Sequence, residues 1–204
     1  MILLFFYWPM LGCRYAFTSY VLANPYYIGI FHFQTMLRFD TYFWQAFRNT
    51  LVLSIVKLIL NTGAAVIISL LLNEITNMAF KKSVQTIIYL PHFMSWVVVA
   101  AVFKMILSVN SSGVVNGALI NMGLIDNPID FLGSSKYWTG TFFMMNVWKD
   151  TGWGTILFLA TLSGISPDLY EAAQIDGANR FKRLIYITLP ALANTIITVF
   201  ILNL

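Results

Sequence analysis

Apolar residues gather into five long runs along this chain. One covers most of the first twenty residues, three more lie over roughly 48–72, 84–107 and 138–163, and the last begins near 187. A helix crossing a bilayer needs about 20 mostly apolar residues, so each complete run predicts one span. The first run, "MILLFFYWPMLGCRYAFTSY", lacks a basic leader and holds Arg14 in its interior, which argues against a signal peptide and for a clipped span. The last, "TLPALANTIITVFILNL", stops without a flanking charge, so the expectation is truncation at both ends. Four connections separate the runs: an aromatic one (21–47), a short polar turn (73–83), a Gly/Asn/Ser loop (108–137) and the stretch 164–186.

Composition agrees with lipid as the solvent. Of 204 residues, 59% are hydrophobic and 10% charged, against roughly a quarter charged in soluble domains. The mean hydropathy is +0.76. These values predict an all-α polytopic transmembrane helix bundle. The net charge of +4 is not gathered into one patch, so nucleic acid is not an expected partner. The lone cysteine, Cys13, excludes an internal disulfide framework.

Charge sets the orientation. The 73–83 turn holds Lys81 and Lys82, and the 164–186 stretch holds Arg180, Lys182 and Arg183. On the other side, 108–137 sets Lys136 against Asp126 and Asp130, while 21–47 sets Arg38 against Asp40. Cations favour the cytoplasmic face, so 73–83 and 164–186 are expected inside and the first span runs inside to outside.

The 164–186 stretch carries its own start and stop signals. Ser166 is a hydroxyl cap, Pro167 suits the first helical position, and Asp168 lies near the positive dipole end. Leu169, Ala172 and Ala173 share a face with Tyr170 and Glu171 beside them, a low surface that another protein can approach closely. Asp176-Gly177 then ends the helix, since glycine accepts the left-handed conformation. A second amphipathic turn, "ANRFKRLIYI", leads to Pro190, which opens the next span. Two readings follow: a short helix passing force to a soluble partner, or an interfacial loop whose charges only fix topology. The residues alone do not separate them.

The stretch "YEAAQIDGANRFKRLIYITLP" resembles the EAA loop of ABC-importer permeases, whose pattern is E-A-A, three residues, G, nine residues, then I-x-L-P. Glu171, Ala172, Ala173, Gly177, Ile187, Leu189 and Pro190 all match, around Asp176-Gly177-Ala178. Further stretches resemble the carbohydrate permeases of that family, in the oligosaccharide and polysaccharide-fragment branch: "FWQAFRNTLVLS" (43–54), "QTIIYLPHFMSWVVVAAVF" (85–103) and "NVWKDTGWGTILFLATLSGISPDLYEAA" (146–173). The resemblance implies the type I, maltose-permease-like fold over 1–204, with the core transport domain from about 43 and a cytoplasmic coupling loop at 164–186. Family members usually have six core spans, one more than this chain shows. The implied ATPase-coupling residues are Tyr170, Glu171, Ala172, Ala173, Asp176, Gly177 and Ala178, with Glu171 a polar anchor, the alanines a close-packing face and Gly177 the turn.

Polar groups inside spans are functional suspects, because they are costly there. Asn146, Asp150 and Trp153 fall at i, i+4 and i+7, and carboxylate, amide and indole suit a sugar's hydroxyls and C–H faces. Lys149 beside them reads rather as a group satisfied within the bundle and holding helices together, Asp150 equally as either, and Gly152 and Gly154 as points where the helix loosens. Ser54, Lys57, Asn61, Ala65 and Ser69 form a small and polar stripe, read as a packing seam from which Lys57, near mid-membrane, stands out. Lys104 is expected to snorkel. Pro91 predicts a kink near the inner third of its span, with Ser95 re-bonding freed carbonyls and His92 structural.

Other classes fare worse. His32 and His92 lie in different regions, with no second ligand at metal spacing. Asp126 and Asp130 sit in a turn, "DNPID", which is weak support for glycosidase chemistry. No Gly-rich phosphate loop occurs, so ATP and Mg are expected only in a partner. A passive channel has no use for a docking loop. The resemblance thus implies a non-catalytic subunit of a bacterial inner-membrane ABC importer. Its expected partners are two copies of an ATPase, a second permease (identical or not), an extracytoplasmic solute-binding protein and the lipid bilayer. The expected cargo is an oligosaccharide; glycerol phosphate, a peptide or an amino acid is the alternative, and an integral-membrane enzyme a remoter one.

Overall fold

The computed structural model describes residues 3–19, 26–110 and 113–203. The first two residues of the opening run, the start of the 21–47 connection and Ser111-Ser112 of the outer loop lie outside the described residues. The described residues are helices and loops, with one isolated antiparallel bridge between Thr18 and Tyr27. The all-α expectation holds.

The chain divides into two compact units, Met1–Leu53 and Ser54–Leu204. In the first, a helical segment over residues 3–17 is followed by α1 (Phe31–Phe39). The His32 ring lies 3.1 Å from the Thr18 carbonyl, and Phe17 packs on Phe33. The helix α2 (Thr41–Asn73) then starts earlier than its apolar run. Asp40 accepts from the backbone amides of Tyr42 and Phe43, and the Trp44 indole donates to the Leu37 carbonyl. The helix start is set by this cap rather than by hydropathy.

In the second unit, α2 buries Leu58, Thr62, Ala65, Ser69 and Leu72. The expected seam is therefore displaced: Ala65 and Ser69 belong to it, Ser54 is exposed, and Lys57 and Asn61 sit half-buried at its margin. Repeated four-residue steps drift by about 40° each around a helix of 3.6 residues per turn. The leucines at 58 and 72 fix the true face.

The third run is not a kinked rod. It forms α3 (Met78–Tyr89) and α4 (Trp96–Ile106), separated by a 3-10 turn at Leu90–Phe93, with the two halves bent by 106°. Pro91 lacks an amide proton and crowds the carbonyl four residues back. Ser95 then restarts the helix by accepting from the Val98 amide at 3.3 Å, so it serves as a cap and not as a donor to freed carbonyls.

An outer segment with α5 (Val114–Asn121) leads to α6 (Ser135–Ser163). Asn116 is wholly buried and staples this segment: its amide nitrogen donates to the carbonyls of Ser108 and Ile129, and its oxygen accepts from the Ile129 amide. The inner connection holds α7 (Pro167–Ile175), and α8 (Arg180–Leu202) ends the described chain. The last helix starts before Pro190, not at it. A π-turn at Leu184–Thr188 widens the backbone ahead of the proline, which lets the helix run through.

Among the described residues, α2 and α8 are long and apolar enough to cross a membrane, and α3 with α4 make a third crossing if the bent pair is one span. α6 is long enough, but Asn146, Lys149 and Asp150 interrupt its apolar run. It also buries more residues than any other described helix of its unit. One core joins Ala65 and Leu72 of α2, Phe158, Leu159 and Leu162 of α6, and Leu192 and Val199 of α8. A second joins Val99, Phe103 and Leu107 around α4. Thr161 and Thr195 hydroxyls, 2.9 Å apart, add a polar tie between α6 and α8.

Candidate functional site

Two sites emerge, one inside the bundle and one at its inner end. The inner-bundle site forms where the 3-10 turn of Leu90–Phe93 meets the middle of α6. Gly152 makes this meeting close: a Cβ there would stand 2.5 Å from the Ile88 carbonyl oxygen. A Cβ on Gly154 would stand 2.8 Å from that of Ala65. Both glycines are therefore contact points for neighbouring helices, not places where α6 loosens.

The turn brings His92 onto α6. Its ring stacks on Trp153 with centroids 5.4 Å apart, and its Nδ1 lies 3.7 Å from Asp150 Oδ1. Lys149 is 7% exposed. Its Nζ donates to the His92 carbonyl at 3.2 Å, sits 3.5 Å from Asp150 Oδ1 and lies over the Trp96 ring. Lysine thus spends its charge within the bundle, holding the broken span to α6 and offsetting the neighbouring carboxylate. Asp150 and His92 remain about one-third exposed and Trp153 is exposed. An acidic acceptor, an imidazole and an aromatic face are left accessible together.

The other path candidates lie elsewhere. Asn146 is buried and its amide donates back to the Phe142 carbonyl, so it offers little to a ligand. Lys57 is half-buried with no hydrogen-bond or ion-pair partner among the described residues, and neither kind of bond joins it to the Asp150 group. His92, read from sequence as structural, was the member the sequence concealed. Its one signal is the proline before it, which turns the chain back on α6.

The inner-end site is α7. Ser166 accepts from the Asp168 amide at 3.3 Å and Pro167 occupies the first turn. At the far end Gly177 has φ +76°, the Ala178 amide donates to the Ala173 carbonyl at 2.8 Å, and the Gly177 amide donates to the Gln174 carbonyl at 3.1 Å. This is the Schellman arrangement, which closes the last carbonyls of a helix. No residue of α7 is buried. Glu171, Ala172, Asp176 and Gly177 are exposed, with Ala173 and Ala178 half-covered. Tyr170 points the other way: its hydroxyl lies 3.0 Å from Thr188 Oγ1, tying α7 to α8. Glu74 at the end of α2 meets Arg180 at 3.7 Å, so the 73–83 and 164–186 connections lie on one side, as the charge distribution predicts.

Comparison with known proteins places this architecture. The family described as binding-protein-dependent transport system inner membrane component matches residues 61–204. Protein LplB of Bacillus subtilis (strain 168) is 39% identical over 208 residues, covering 98% of this chain and 63% of its own. The polygalacturonan/rhamnogalacturonan transport system permease protein YteP of the same bacterium is 37% identical, with 98% and 63% covered. A crystal structure of a bacterial ABC transporter involved in the import of the acidic polysaccharide alginate superposes with a TM-score of 0.86 at 37% identity, over 99% of this chain and 67% of that one. The same holds for the alginate transporter in complex with an alginate pentasaccharide-bound periplasmic protein, of which 66% is covered. The chain thus spans 63% of the length of the curated relatives LplB and YteP. With a helical core, an exposed capped inner helix and a match over most of its length, this chain belongs to the inner membrane components of binding-protein-dependent transport systems.

Proposed function

We propose that this chain forms half of the translocation path of an ATP-driven importer for oligosaccharides, and that α7 is its contact with a cytoplasmic ATPase. The exposed, doubly capped α7 carries this reading. A nine-residue helix standing off the bundle with none of its side chains buried has no packing reason to be so well terminated. Its caps make it a rigid lever, joined through Tyr170 and Thr188 to a membrane-crossing helix. Closure of ATPase subunits against α7 would move α8 and, through the α6–α8 core, the whole unit.

The cargo follows from the Asp150, His92 and Trp153 group. Trp153 offers an exposed indole to the C–H face of a sugar ring, and Asp150 accepts from hydroxyls. The relatives, a polygalacturonan/rhamnogalacturonan transport permease and a transporter involved in alginate import, support a carbohydrate. The partners in this reading are two ATPase copies, which use ATP and Mg, a second permease and an extracytoplasmic binding protein. The permease subunit itself has no catalytic role. The test is the complete complex in proteoliposomes, screened for ATP hydrolysis that responds to binding protein loaded with defined oligosaccharides. Stimulation by at least one oligosaccharide, lost in Glu171→Lys, supports the reading. Stimulation by amino acids or peptides alone would replace the cargo, and full stimulation in Glu171→Lys would remove α7 from the ATPase contact.

A further inference from the structure

A cleft of about 670 Å³ lies at the inner end of the bundle, between the last turns of α2 and the start of α8. Its lining changes character with depth. Asn73, Glu74, Arg180 and Arg183 line it, together with Ile67, Leu70, Leu71 and Leu184. Ile67 lies seven residues before Glu74 on one helix, hence about 10 Å deeper into the membrane. The charged groups therefore stand at the mouth, beside Phe181, at the level of the headgroups, while the α2 wall below them is apolar at the level of the acyl chains. Ile67 and Leu71 both line this space and are largely exposed among the described residues.

Charge at the mouth favours an anion. Two guanidinium groups line the mouth with one carboxylate, and among the described residues that carboxylate pairs with Arg180 alone, at 3.7 Å, through side chains that are 87% and 70% exposed. Arg183 is half-buried, and its Nε is shielded from solvent with no hydrogen-bond partner among the described residues. An unmet guanidinium donor beside an apolar groove is costly, and a planar fork is satisfied best by two oxygens of one acidic group. Basic pockets between helices on the cytoplasmic side are where anionic headgroups bind.

We propose that this cleft holds one anionic phospholipid of the inner leaflet, its phosphate between Arg180 and Arg183 and one acyl chain along Ile67, Leu71 and Leu184. A turn of the Arg183 side chain brings Nε–H and an Nη–H onto two phosphate oxygens. Glu74 lies at the rim, where its exposed pairing with Arg180 yields readily to a phosphate. Because Tyr170 and Thr188 also line the cleft, the lipid would brace the joint between α7 and α8. The site does not depend on which solute the complex carries.

The test uses the complete complex, purified and exchanged into nanodiscs of phosphatidylcholine with phosphatidylglycerol as the minor component. Native mass spectrometry then counts the lipid retained after release. Wild type should retain phosphatidylglycerol in preference to phosphatidylcholine. Arg183→Gln and Arg180→Gln should each lower that preference by about fivefold, the factor that one basic residue contributes at an anionic surface. Leu71→Ser should weaken retention without altering the charge. Arg38→Gln, in the first unit, should change nothing. Equal retention in Arg183→Gln and wild type overturns the proposal. So does displacement of the signal by inorganic phosphate with Leu71→Ser behaving as wild type, which would mean a free-phosphate site. An absence of phosphatidylglycerol preference in wild type means that other residues of the complex fill the cleft, and also overturns it.

Discussion

The α7 loop and the broken span at Pro91 both begin with a proline and a serine, yet they are built in opposite ways. In the loop every determinant is local. Ser166 caps, Pro167 starts, and Gly177 stops, all within a dozen residues and with none of the helix's own side chains buried. At the broken span, Pro91 ends one helix and Ser95 starts the next, but the 106° angle between them is held from a distance. Gly152 admits the Ile88 carbonyl, and Lys149 bonds the His92 carbonyl across 57 residues of sequence. A local device can be placed on a surface and moved as a unit. A long-range device is tied to the bundle and reports on its packing.

Replacing Gly177 tests the local device most severely. Proline cannot adopt φ +76° and has no amide to donate to the Gln174 carbonyl. Gly177→Pro should abolish solute-stimulated ATP hydrolysis by the assembled complex while membrane insertion and the thermal midpoint of the bundle stay near wild type. Normal stimulation in this variant would show that the end of α7 is not part of the lever. A drop in the midpoint would show that the loop is not the autonomous unit its contacts indicate.

The long-range device should respond in the reverse sense, with stability falling first. Asp150→Asn leaves Lys149 without its counter-charge inside the bundle, at a cost of about 1–3 kcal/mol, because the carboxylate is partly exposed and the pair is not fully desolvated. Lys149→Met combined with Asp150→Asn should recover part of that loss, since no unpaired charge remains. Transport separates the two roles of Asp150. If its carboxylate touches the cargo, uptake stays low in the double variant even where the thermal midpoint recovers. Recovery of both assigns Asp150 to packing alone.

A gentler pair of variants lies on a single helix. In Gly152→Ala the new methyl meets the backbone at Ile88 and Tyr89, neither of which is a flexible side chain. A loss of about 1–3 kcal/mol is expected from overpacking. Gly140→Ala, on the same helix but with open space around it, should be neutral or stabilising by up to about 1 kcal/mol, the propensity difference. Thermal midpoints of the purified chain with its partners decide it. Equal effects at the two glycines would mean that the turn does not dock on α6.

The same contrast explains what the sequence could disclose. Ser166, Pro167 and Gly177 each act on the backbone within a few residues, so their chemistry is visible in the order of residues, and the structure has the cap, start and left-handed turn where they were expected. The α2 seam was half visible: Ala65 and Ser69 are in it, but its phase is set by the buried Leu58 and by Leu72, which shares a core with α6 and α8. Pro91 announced a disturbance without its size, because the size depends on Gly152. His92 carried only the preceding Pro91 as a mark, which announces a turn but not the meeting with Trp153 and Asp150. Asn116 looked like one of several loop asparagines until the fold closed Ser108 and Ile129 around it.

The smallest expected effect falls at the joint between the two kinds of device. Tyr170 belongs to the local loop and Thr188 to the bundle, and their hydroxyls are 3.0 Å apart. Thr188 also bonds back to the Arg183 carbonyl at 3.4 Å, within the widened turn that carries α8 past Pro190. Tyr170→Phe removes one hydroxyl and keeps the ring, so about 1 kcal/mol should be lost. Thr188→Val should cost a similar amount. If the two hydroxyls act on each other, the double variant costs less than the sum, because the second removal has no bond left to break. A sum that is strictly additive would mean each hydroxyl is satisfied independently, and α7 would then be hinged to the bundle by backbone alone. Under a non-additive result, ATP hydrolysed per solute imported should rise in both single variants, since a looser joint passes less of the ATPase movement to α8.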